Sequence, residues 1–528
     1  MKHFHALSLK FAVAGLLSMC WLAASASVEL NATYFPDSTF RAFISTKFDT
    51  DKNDTLSDAE IAKVKNITCT GKQVESIKGV EYFTALTWLD MSRNKLTELD
   101  VSHNTLLATI QCPYNNIKKL DLSNNPKVTR IYCQNNQIDD VNIAPCTGLL
   151  YLVLNYNNIS SIDVKGKTAL KTIDLSHNAL SSIDLADNTR LNELRLLYNN
   201  LTALDVSKLT ALKTLACGNN RLTTLDLTKN TSLTSLYCND NPVKVVGLQS
   251  LTLLERFNCE NTGLDSLDVS HNKSLSFLYC GHNNLSNLDL SNNARLKHLF
   301  CACNQLTELD LSKTPSLVEL DCDSNMLASL DVSMLKAVMT LYCTGNQLTA
   351  LDISNCSRLT RFKAAGNLLP CINLAGQADE LYEFDMSRNG RKIAVEKTGT
   401  GSAVSYSLPL ASLPALMGEG FDLNKVPSSS WKGATLTGEV LHITADTVSY
   451  AYSTDYAGAT SGLDQVRFFF TYDKSTNTGI TSPESQLPVS TRYYNTMGVA
   501  SDEPHDGVNI VVTTYCDGTT RTVKQLRR

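Results

Sequence analysis

An apolar residue opens a unit every 21 residues from Leu86 to Leu359, with Val128 and Val338 the only substitutes for leucine. A second apolar residue follows three places on and a third two places after that, as in Leu233, Leu236 and Cys238. Alternation over so few residues predicts a short strand with one inward face. The third place holds cysteine at 112, 133, 217, 238, 259, 280, 301, 322 and 343, and leucine at 154, 175 and 196. Asparagine keeps the same step from Asn94 to Asn367, broken only by Thr262, and turns the chain after each strand. A second extended piece follows, such as Leu225, Asp226 and Leu227, and 21 residues leave no room for a helix between the two. The pattern therefore predicts a mainly β protein: a parallel solenoid of about 14 units of 21 residues with short strands on both sides. At roughly 4.8 Å per unit the stack is about 65 Å long. A worn fifteenth unit, one residue out of step, covers 381–389.

The unit reads LxxLxCxxNxLTxLDLSxNxx and resembles the cysteine-containing leucine-rich repeats of internalin-like bacterial surface proteins. The resemblance spans about residues 86–389 and implies an extracellular recognition or adhesion scaffold, without naming a ligand. The solenoid is assigned to 81–390. Before it, 27–80 reads as a small helical cap, needed because the first unit would otherwise expose its edge and core. After it, 391–474 alternates at period two, as in Val466 to Tyr472, and predicts a β-rich domain closing the far end. A Ser/Thr/Pro linker occupies 475–491. The tail, 492–528, reads as two strands about an Asp-Gly turn and resembles C-terminal sorting domains of the type IX secretion route through Gly498, Gly507, Asp517, Gly518 and Lys524. That likeness implies a Gram-negative secreted or outer-surface protein whose tail meets a secretion machinery.

Composition changes the picture in two ways. Residues 1–26 carry Lys2, Lys10, an apolar run and a small-residue Ala24-Ser25-Ala26 end, the form of a secretory signal peptide; a lipoprotein signal at Cys20 is the rival reading. No later stretch is apolar for long enough to span a membrane. The formal charge of −5 over 528 residues, without a basic run, gives no footprint for nucleic acid. Fifteen cysteines beyond residue 26 in an exported chain would ordinarily suggest disulfides. Residues in one column of stacked strands point the same way, however, whereas a disulfide needs side chains that converge. The cysteines are expected to be buried free thiols.

Two constellations carry candidate chemistry. Asp49, Asp51, Asn53, Thr55, Ser57 and Glu60 fall at the ligand places of a twelve-residue EF-hand loop, with Asp54 where glycine is usual. Ca²⁺ at one site is expected, against a metal-free acidic turn. A column of aspartates, from Asp100 to Asp352, is read as local turn acceptors, not as a cation ladder. Strand positions beside the cysteine column face outwards, towards the concave side of such a solenoid. Tyr237, Arg256, Phe277, Tyr279, His298, Phe300, Glu319, Asp321 and Tyr342 gather there as a candidate partner site, because exposed aromatics with arginine are favoured at interfaces. The bland alternative is that aromatic rungs merely stack to protect a β surface.

No protease, hydrolase or nucleotide-binding motif is present, and the chain is read as non-catalytic. The expected function is recognition of an extracellular protein or glycan. Glycan capture for nutrient uptake and a structural surface-layer role are the alternatives.

Overall fold

The computed structural model describes residues 27–377, 380–398, 404–418, 420–458, 463 and 465–472, and the backbone of 488–494, 500–501, 507–515 and 520–527. The signal-peptide reading of 1–26, most of the 475–491 linker, and Gly498, Asp517 and Gly518 of the sorting tail lie outside them.

The core of the molecule is a parallel sheet of sixteen three-residue strands running in chain order from Asn66–Thr68 to Glu383–Asp385. Register advances by 21 residues per strand, as in Arg256↔Phe277 and Phe277↔His298. The fourteen predicted units supply the central strands, the cap adds the first, and the worn unit at 381–389 adds the last. The middle residue of each strand and the cysteine-column residue after it are buried, as Leu278 and Cys280 are. Each buried Val/Leu/Phe-sized side chain contributes roughly 1.5–3 kcal/mol, so the stack is held by its core. The second extended piece departs from the expected strands on both sides. It pairs only at Lys119–Asp121 with Asp140–Asn142 and at Thr224–Asp226 with Lys244–Val246. Each aspartate of the column accepts the backbone N–H two residues on, as Asp289 does from Ser291 and Asp310 from Ser312. That turn takes the chain out of extended geometry, and the aspartates are turn residues as expected.

All cysteines of the described residues are free. Burial pushes the Cys217 thiol up to about 12, so it is a packing group and not a nucleophile. Cys69 proves to be a further rung: its N–H reaches Asp90 O as that of Cys112 reaches Tyr132 O. Cys146 and Cys356 fall instead at the step of the second asparagine column, formed by Asn104, Asn125, Asn188, Asn230, Asn272 and Asn293.

The cap contains helix Ser38–Phe48, started by Asp37, and a short turn of helix at Asp58–Ile61. Phe35, Phe40 and Ile44 close the first unit. Gly79, at φ +104, leaves the space into which the Phe35 ring fits. At the other end, Gly390–Ile393, Gln465–Tyr472 and Thr447–Ser453 form one sheet, and a four-stranded sheet packs beside it. Tyr450 donates to Pro370 O and Leu374 N–H to Thr454 O, so this domain covers the last units. In the tail, Gly507–Tyr515 and Thr520–Arg527 pair as the expected hairpin. A strand at Pro488–Tyr494 joins them and begins within the segment read as linker. Gly507 and Lys524 lie on that hairpin. Among the described residues no helix is long and apolar enough to cross a membrane.

Candidate functional site

The outward positions of the long sheet fall into two columns. One runs through Arg256, Phe277, His298 and Glu319, the other through Tyr237, Asn258, Tyr279, Phe300, Asp321 and Tyr342. Register places Phe277 beside His298 and Tyr279 beside Phe300, and both pairs stack. The ring centroids are 4.2 Å apart at 3° in the first and 4.6 Å apart at 1° in the second. The Arg256 guanidinium lies 4.9 Å over the outer face of Phe277. At the other end, His298 Nδ1 is 2.8 Å from Glu319 Oε2. These residues form one continuous patch.

Tyr342 and Tyr237 are not part of it. Asp321 separates Tyr342 from Phe300, and Asn258 separates Tyr237 from Tyr279. Tyr342 belongs to a second group, in which its hydroxyl and the Lys363 ammonium both bind Glu383 and the ammonium sits 4.8 Å over the Tyr342 ring. The ring's own burial, ahead of the Glu383 charge, raises the Tyr342 pKa. Lys363 and Glu383 were not singled out in the sequence, although the 21-residue step places both on this face.

A third column, just past the cysteines, also escaped sequence reasoning. It holds Glu260, Gly281, Ala302 and Asp323. Asp321 accepts from Asp323 N–H, and Asp323 accepts from Thr344 N–H at 2.5 Å. Burial, then the charge of Asp321, pushes the Asp323 carboxyl up to about 7; burial also raises that of Asp321. The folded Asp323 thus keeps a proton that the unfolded chain releases near pH 4. Stability is highest below that value and falls as pH rises towards 7. Asp323→Asn should flatten that decline, worth about 1 kcal/mol at pH 7 once screening is allowed for. Melting curves from pH 4 to 7.5 test it, and parallel slopes for both proteins would contradict the assignment.

A fourth column lies beyond this one. The residue before each ladder asparagine adopts positive φ, from Arg93 at 57° to Ser324 at 56°, with no glycine in twelve successive units. The column stacks Tyr156, His177 and Tyr198 at 4.0 and 4.2 Å on the solvent side. Its varied residues gave no periodic signal.

The cap loop brings oxygens of Asp49, Asp51 and Glu60 within 4.8 Å of one another. Asp49 accepts from Asn53 N–H and Asp54 N–H, and Asn53 Oδ1 accepts from Thr55 N–H. Asp54 takes φ 61, the left-handed turn that glycine usually supplies at this place. Thr50 and Ser57 donate to the two Glu60 oxygens, which holds its carboxyl down at about 2. Hard carboxylate oxygens gathered this closely, one of them poised by a capping box with Ser57, fit an oxygen-seeking divalent cation.

No family model matches the chain. In structure it is similar to the functional domain of InlJ from Listeria monocytogenes, which includes a cysteine ladder. The TM-score is 0.75 at 26% identity, over 86% of this chain and all of that one. An internalin, InlF, of the same species matches with TM-score 0.52 at 21% identity over 66% of this chain and 99% of that one. A leucine-rich-repeat protein of Leptospira interrogans matches with TM-score 0.53 at 22% over 58% and 92%. Those two likenesses concern the fold alone. In sequence, Internalin J of Listeria monocytogenes is 32% identical over 72 residues, which is 14% of this chain and 8% of that protein. The array is thus an internalin-like, cysteine-ladder leucine-rich repeat.

Proposed function

We propose that this chain is a non-catalytic recognition protein, secreted or held at the outer surface of a Gram-negative cell. It would bind an extracellular protein on the outward, concave face of its long sheet. The observation that carries this reading is how the aromatic rungs are closed. Phe277 and His298 cover each other's faces, as do Tyr279 and Phe300, and Arg256 covers the remaining face of Phe277. A sugar ring needs an open aromatic face to stack upon. Rings that offer their edges, with charged groups at both ends, suit a polypeptide surface. This favours a protein partner over glycan capture. Parallel screens of the purified chain on extracellular-protein and glycan arrays test the choice. Binding confined to glycans would reverse it, and no binding on either would favour a structural surface role. The tail would serve export by a type IX-like machinery.

The same reading gives the cap one Ca²⁺, held by Asp49, Asp51, Asn53, Thr55 through its carbonyl, Ser57 and Glu60. A ligand that binds only the folded state stabilises it by about 2.7 kcal/mol at a hundred times Kd. Ca²⁺ should therefore raise the melting temperature of the wild-type cap by several degrees over chelator. Asp49→Ala should lower the baseline and abolish the Ca²⁺-dependent shift. Identical wild-type melts in Ca²⁺ and in chelator would remove the metal from the account.

A further inference from the structure

Beside the stacked pair Tyr279 and Phe300 the next column drops to Gly281 and Ala302, leaving a dent in the sheet face. A Cβ on Gly281 would meet Ala302 O at 3.0 Å and Glu260 Oε1 at 3.7 Å, so the Glu260 carboxylate leans over the floor. Asp321 and Asp323 bound the other end, roughly 14 Å from Glu260 at three strand spacings. Among the described residues neither aspartate has a cation within ion-pair distance, and their donors are backbone N–H groups.

The face itself shows what such a setting holds. One step along, Lys363 is clamped between the Tyr342 ring and Glu383. At the near edge, Arg256 lies over Phe277. At the dent the ring edges and the carboxylates recur without a cation of this chain between them. We infer that the dent seats one lysine or arginine side chain of a polypeptide partner, its stem against Tyr279 and Phe300 and its charge between Asp321, Asp323 and Glu260. The inference rests on the protein-binding reading of this face and adds the chemistry of the partner residue.

A metal ion fits less well. The group of three His, Cys, Asp or Glu ligand atoms that converges among the described residues is that of the cap, and these carboxylates are not in it. They are spread at the scale of a long organic cation. Two partly buried carboxylates without a counter-charge are costly in the free protein, and a partner's cation offsets that cost on binding.

The experiment selects linear peptides from a random display library on the purified full-length chain and measures the best binder by fluorescence polarisation. Selected peptides should share a lysine or arginine next to an apolar residue. Replacing that residue by citrulline or glutamine should weaken binding at least tenfold. Asp321→Asn with Asp323→Asn should do the same, and the two changes together should cost no more than either alone. The asparagine variant keeps shape and removes uncompensated charge, so its fold should hold, as circular dichroism will show. Ala302→Leu, which fills the dent, is the second variant and should weaken the same peptide. Two results overturn the inference: peptides without a basic residue, or losses that simply multiply. If binding depends on Tyr279 and Phe300 but not on a basic residue, the dent fails and the face stands. If binders ignore every variant, or none is recovered, both readings fall.

Discussion

Asn304→Ala is expected to destabilise the array by about 3–4 kcal/mol, more than any single core cysteine. The Asn304 amide donates to Cys280 O, Cys301 O and Ala302 O, while its oxygen accepts from Leu285 N–H. The Cys280 carbonyl keeps a second donor in Asn283 and the Cys301 carbonyl one in Asn325, so losing Asn304 weakens them without orphaning them. Leu285 N–H has no such reserve. A buried N–H left unpaired costs about 1–3 kcal/mol, and each lost net hydrogen bond about 1. The asparagine also closes the turn in which Cys303 is held at φ 56, a conformation that residues other than glycine adopt at a cost. A cysteine such as Cys280 fills only a small volume, so Cys280→Ala leaves a small cavity worth about 1–2 kcal/mol. Urea unfolding followed by circular dichroism measures both changes, with the slope checked because repeat arrays can lose cooperativity. Thr262 supplies the internal standard. Its hydroxyl still donates to Cys259 O but cannot do the rest, so Asn304→Thr should fall between wild type and alanine. A loss below 1 kcal/mol for Asn304→Ala would mean that the asparagine column is decoration and the leucines alone hold the stack.

What the sequence disclosed was whatever repeats at fixed step. Leu236, Cys238 and Asn241 recur because every unit buries the same places, so strand, core column and turn were legible. What does not repeat was hidden. Cys69 stands one residue out of phase behind the cap and looked like a stray thiol, though it is a rung. The left-handed column from Arg93 to Ser324 is set by backbone geometry that the asparagine amides enforce, and its side chains are free to vary. The stack of Tyr156, His177 and Tyr198 therefore left no trace in the pattern. The candidate partner site was legible as a strip but not as groups. Two polar residues, Asn258 and Asp321, cut Tyr237 and Tyr342 away from the central rings. The dent at Gly281 and Ala302 depends on which small residues happen to adjoin the aromatic pair. Only the register, not the period, brings Glu260 and Asp323 to its ends.

Tyr279→Ala with Phe300→Ala is expected to weaken partner binding by roughly 2 kcal/mol or more, about thirtyfold. The two rings share one stack, so removing one frees a face of the other and leaves the patch half-built. The double change removes both and with them the apolar centre between Arg256 and the carboxylates. Such centres dominate binding because their edges are desolvated on contact, whereas the charged rim mainly sets orientation and rate. The fold should survive, since Leu278, Cys280 and Leu299 stay buried beneath. Asp289→Ala is the matched control on the second extended piece. Its carboxylate serves Ser291 N–H in a local turn, so the variant should lose a little stability and no binding. The comparison needs one binder, from the protein array or the peptide selection, titrated against all three proteins under one salt condition. Loss with Asp289→Ala and none with the double variant would place the partner on the opposite side of the solenoid. Equal affinity in all three would leave the stacked rings as cover for a β surface, holding the sheet and meeting no one.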